Sequence, residues 1–110
     1  MAAAARGARQ AGGRTVGILP GESPSAANEW IDFAVATGAG HARNLAVAAS
    51  GEAVIAVGGS WGTLSEIAFA RRLGRPVVVL GGGPEVEGEG IARATSPEQA
   101  VELALSALES

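Results

Sequence analysis

Apolar positions along this chain follow two rhythms. Ala53–Val57 and Pro76–Leu80 are apolar without interruption, and Thr15–Leu19 and Ile31–Ala36 are short runs of β-branched and apolar residues. Elsewhere apolar residues recur every three or four places: Leu45 with Ala48-Ala49 in His41–Ser50, and Leu64 with Ile67-Ala68 in Leu64–Leu73. The first rhythm predicts strands and the second predicts helices. The turn residues agree with that division. Pro20-Gly21, Thr37-Gly38-Ala39-Gly40, Gly58-Gly59 and Gly81-Gly82-Gly83-Pro84 each follow a predicted strand, and Gly74 stops a predicted helix. Ser96-Pro97-Glu98-Gln99 reads as a capped start for a last helix, with Val101, Leu105 and Leu108 as the face to be buried. The acidic, glycine-rich stretch before it, with Glu85, Glu87 and Glu89 at alternate places, is expected to be a solvated loop.

Strands apolar on both faces and separated by helices are parallel strands covered on both sides. The expected fold is α/β, a Rossmann-like doubly wound parallel sheet forming a single domain over residues 1–110. Ligands of such sheets sit beyond the carboxyl ends of the strands. Three of the runs end in glycine, as Leu19-Pro20-Gly21, Val57-Gly58-Gly59 and Leu80-Gly81-Gly82. That edge is the candidate site.

Composition narrows the chemistry. Of 110 residues 47% are apolar, but alanine supplies 24 of them, so bulky core side chains are scarce. There is no cysteine and one histidine, which excludes disulfides, thiolate sites, cysteine nucleophiles and a His cluster for metal. Net charge is −3, and the eight arginines are scattered rather than gathered into a patch, which argues against nucleic acid as a partner. The apolar runs are far shorter than a membrane span. The opening MAAAARGARQAGGR has arginine and no acid, as organelle transit peptides do. Gly12-Gly13 instead favours an alanine-rich helix with a glycine stop, and a cytoplasmic location is expected.

The stretch that carries chemistry is Val57-Gly58-Gly59-Ser60-Trp61-Gly62-Thr63-Leu64-Ser65-Glu66. It reads as a strand, a glycine turn and a helix start. Backbone N–H groups and the helix dipole there suit a phosphate monoester, and the Thr63 hydroxyl adds a donor. Thr63-x-x-Glu66 also fits a capping box, so spacing leaves Glu66 open between cap and function. Trp61 would either stack on a ligand or cover the end of the sheet. Arg43, one turn into a helix, would meet either an anion or water; His41 reads as a helix-start or surface residue.

The order His41-x-Arg43-Asn44, an apolar strand, then Gly59-Ser60-Trp61-Gly62-Thr63-Leu64-Ser65-Glu66 resembles the LOG-type (lysine decarboxylase-like, SLOG) nucleotide-binding family. Within it the chain looks most like the bacterial branch related to molybdenum cofactor carrier proteins. The resemblance implies a small phosphate-bearing ligand, a nucleoside monophosphate or the molybdenum cofactor. Gly21, Arg43, Asn44, Gly58, Gly59, Ser60, Trp61, Gly62, Thr63 and Glu66 would hold it, with no metal ligand from the chain. In the phosphoribohydrolase members of the family, Arg43 and Glu66 would be the catalytic pair acting on a nucleoside 5′-monophosphate. Gly58, Ser60 and Asn44 stand where that branch has proline, glycine and lysine, which points toward a carrier.

Relatives of this type also have a strand, a helix, a second strand and a glycine-rich turn before the segment that Met1–Ala11 resembles. The expectation is an N-terminally truncated domain, with two strands lacking between Thr15–Leu19 and Ala53–Val57. Unpaired strand edges would then favour a homo-oligomer or poor solubility. A fragment without a competent site is the third reading.

Overall fold

A computed structural model describes residues 1–82 and 84–109. The elements, in chain order, are α1 (Ala2–Gln10), β1 (Val16–Leu19), β2 (Phe33–Ala36), α2 (Arg43–Ser50), β3 (Val54–Val57), α3 (Trp61–Arg72), β4 (Val77–Leu80), β5 (Ile91–Ala94) and α4 (Pro97–Leu108). Single turns of 3-10 helix at Pro24–Ala26 and Gly40–Ala42 precede β2 and α2. Every described strand pairing is parallel, as expected of an α/β fold. The strands fall into two sheets: β1-β2, and β3-β4-β5 in that order. No ladder joins them among the described residues.

The chain divides into two compact units, Met1–Arg43 and the remainder from Asn44. In the first, α1 ends as its glycines predict: Gly12 adopts φ 86°, and the Gly13 N–H returns to the Ala8 carbonyl at 2.8 Å. Thr15 joins the start of β1 to the start of β2. Its N–H and hydroxyl both donate to one Asp32 carboxylate oxygen (2.8 and 3.1 Å), and its hydroxyl oxygen accepts the Asp32 N–H at 2.8 Å. The apolar face shared by Val16, Phe33 and Val35 stays half exposed, at 59%, 52% and 50%.

The second unit holds the main core. In β4, Val77, Val78 and Val79 are all buried, as a central parallel strand requires. Val77 and Val79 pack with Ala48 of α2, Ala56 of β3, and Ile67 and Ala70 of α3. Val78 faces the other way, onto Ala94, Ala100 and Ala104. Helices therefore cover both faces of β4.

Three expectations need correction. Helix α3 starts at Trp61 rather than Leu64, because the Ser60 hydroxyl accepts the Thr63 N–H at 3.1 Å and caps it there. The acidic stretch is loop as expected, but a strand that was not expected, β5, follows it, its Ile91 and Arg93 separated by alanine and obscured by the neighbouring Glu and Gly. On α4 the buried residues are Ala100 and Ala104, while Val101, Leu105 and Leu108 are 50%, 57% and 42% exposed. Small side chains let α4 approach β4 closely and turn its bulky stripe outward. The cap of α4 forms as read, Ser96 Oγ accepting from Gln99 N at 3.1 Å; Gln99 Oε1 reaches back to the Thr95 N–H at 2.8 Å.

Candidate functional site

The register Val57↔Leu80↔Ala94 brings the carboxyl ends of β3, β4 and β5 to one edge of the sheet. Beyond β3 the chain must reverse into α3 within three residues. Gly58 makes this possible at φ 98°, a conformation costly for any residue with a Cβ. Gly59 passes so close to the β4 end that a Cβ there would stand 3.3 Å from the Gly82 carbonyl oxygen. Ser60 then caps α3, with its Oγ also 3.1 Å from Thr63 Oγ1. With Ser60 as the cap, the N–H groups of Trp61 and Gly62 have no carbonyl a turn earlier to bond. Two hydroxyls and these amides thus share the positive end of a 12-residue helix, a setting that suits an oxyanion.

A second set of bonds fixes this turn. Asn44, 6% exposed at the start of α2, donates from Nδ2 to Ser65 Oγ at 2.9 Å. Ser65 Oγ in turn donates to the Gly62 carbonyl at 2.7 Å. Asn44 is therefore a positioning residue for α3 rather than a group presented to solvent. Sequence reading missed Ser65, whose one signal was its place one turn after Gly62 on the same helix.

The other named residues separate into the two units. The structure brings together Asn44, Gly58, Gly59, Ser60, Gly62 and Thr63 around the start of α3. Trp61 is there too, but at 86% exposure it does not cover the sheet. Glu66 lies six residues past the cap, partly buried, so the Thr63-x-x-Glu66 capping box does not form. Gly21 and Arg43 belong to the first unit, at the carboxyl end of β1. There Arg43 Nη1 donates to the Ile18 carbonyl at 2.7 Å and the Gly21 carbonyl accepts from Gly38 N at 2.8 Å. Arg43 is thus neither aimed at water nor unengaged. His41 lies in the turn before α2 and is exposed.

Parallel strands, a glycine turn at their carboxyl ends and a hydroxyl-capped helix start define a Rossmann-like α/β protein. Residues 1–108 match the model of the SLOG cluster4 family, and the chain belongs to that family. It is 42% identical over 106 residues to an uncharacterized protein of Archaeoglobus fulgidus, spanning 96% of this chain and 68% of that one. The molybdenum cofactor binding protein of Rippkaea orientalis superposes with a TM-score of 0.83 at 34% identity, over 96% of this chain and 69% of its own. The molybdenum cofactor carrier protein of Chlamydomonas reinhardtii does so with a TM-score of 0.84 at 30% identity, over 97% and 70%.

Proposed function

We infer that the chain binds a small phosphate-bearing molecule, a nucleotide or a pterin-type cofactor such as the molybdenum cofactor, at the start of α3, as a carrier rather than a catalyst. The observation that carries this reading is the Ser60-capped turn, with Thr63 beside it and the Asn44–Ser65–Gly62 bonds behind it. The molybdenum cofactor binding protein of R. orientalis and the molybdenum cofactor carrier protein of C. reinhardtii support the ligand class. The donor set fits the phosphate end of such a cofactor: hydroxyls and amides at a helix start, with no cationic side chain needed. Asn44 supports the carrier reading over the hydrolase. It stands at the lysine position of the hydrolase pattern, and here its amide is spent on Ser65.

Ser60→Asp separates binding from folding. Aspartate caps a helix as well as serine does, yet it places a negative charge on the anion site. Calorimetric titration with AMP and GMP should show binding that weakens at least about ten-fold in Ser60→Asp, at unchanged melting temperature. Equal binding by the variant would sink the assignment. Incubation with AMP and an N6-substituted AMP should release no free base; release abolished by Glu66→Ala would establish the phosphoribohydrolase instead.

A further inference from the structure

Beside the α3 turn, across the Gly59–Gly82 approach, lies an open cavity of about 730 Å³ lined by Gly81, Gly82, Glu85, Val86, Glu87 and Arg93. Its polarity is set by which groups are already spent. Arg93, on β5, donates from Nη1 to the Gly81 carbonyl at 2.9 Å and from Nη2 to the Pro84 carbonyl. That guanidinium holds the segment after β4 in place. Val86 packs against the core, which anchors the two carboxylates flanking it. Glu85 and Glu87 are exposed, and among the described residues neither is hydrogen-bonded or ion-paired. The Glu85 and Glu87 carboxylates are therefore free acceptors in this lining, directly beside a turn that offers donors and a positive dipole.

We propose that this cavity recognises the amino-pyrimidinone edge of the ligand, the adjacent ring N–H and exocyclic NH2 that guanine and pterins share. A carboxylate accepts such a pair of parallel N–H donors much as it accepts a guanidinium. The same carboxylates repel an anion placed beside them and so orient the molecule, with its phosphate at Ser60–Thr63 and its ring at Glu85 and Glu87. This deepens the reading under Proposed function and rests on it.

The test compares pairs that differ only at the 2-amino position: GMP against IMP, and pterin against lumazine. Titration of the full chain should favour the amino member of a pair by at least about ten-fold, the cost of a lost charge-assisted bond. Glu85→Gln/Glu87→Gln, in an exposed segment, should remove that preference while leaving the melting temperature unchanged. Preference in the GMP pair identifies a purine nucleotide, and preference in the pterin pair alone identifies a pterin; either outcome supports the cavity. Equal affinity within both pairs, or a preference that survives the double variant, overturns it. Failure of the phosphate reading has a different signature: the 2-amino preference persists while Ser60→Asp has no effect.

Discussion

Asp32 shows how much a single side chain contributes to the first unit. The Thr15 backbone N–H, together with the Thr15 hydroxyl and nearby Arg9 and Arg14, holds its carboxyl below the usual carboxylate range, against a smaller opposing effect of burial. A carboxyl whose folded pKa is lowered stabilises the fold fully above its unfolded value, roughly pH 4, and loses that contribution as pH falls through the folded value. Melting temperatures measured from pH 7 to 2 should therefore fall in the wild type below about pH 4. In Asp32→Asn they should start lower and follow a flatter acid limb. Parallel curves for the two proteins would mean that Asp32 is not the acid-sensitive link. At this scale the sequence revealed the glycines and Thr63 of the candidate site but not the bonds among them. Ser60 and Ser65 are small polar residues whose roles depend on where α3 starts. A shift of three residues changed the cap from Thr63 to Ser60 and removed Glu66 from the capping box.

Among elements, the runs that were apolar throughout were the most legible. Val77–Leu80 is a strand because β-branched residues buried on both faces have no other economical arrangement, and its neighbours follow from it. Ile67 is the largest fully buried α3 side chain in that core, at 1% exposure. Ile67→Ala should cost about 2–5 kcal/mol in chemical denaturation, from lost burial and the cavity left behind. A loss well under 1 kcal/mol would mean the layer between α3 and β4 can close the gap. Elements set by small residues were harder to read. Strand β5 carries two alanines in four positions, and α4 buries alanine in preference to leucine. The turn before β5 also depends on a contact invisible in sequence: the Arg71 guanidinium occupies the space a Cβ at Gly90 would need.

For the whole molecule, apolar surface is left open in both units. It lies at Val16, Phe33 and Val35 on the first sheet, and at Val101, Leu105 and Leu108 on α4. Exposed apolar patches mark interaction or ligand surfaces, or make a chain prone to associate. The 110-residue chain should bind a hydrophobic dye and show a mass above that of one chain in light scattering, with Phe33→Lys and Leu105→Lys reducing both. A monodisperse single chain that binds no dye would show that these faces tolerate water. The parallel α/β class was legible because it follows from strand composition. The division into two sheets was not legible, since residue patterning does not reveal which strands pair.

Burial is also unequal between the units: among the described residues before Asn44, only Ala5 and Thr15 are buried, whereas Val77, Val78 and Val79 of β4 and the helix residues packed on them, Ala48, Ile67, Ala70, Ala100 and Ala104, are closed to solvent. Local opening costs least where little apolar surface is lost. Limited trypsin digestion should therefore cut first after Arg6, Arg9 or Arg14, while Arg71 and Arg72 on α3 resist. The nicked protein would keep the Ser60 turn and its adjoining cavity on the protease-resistant part.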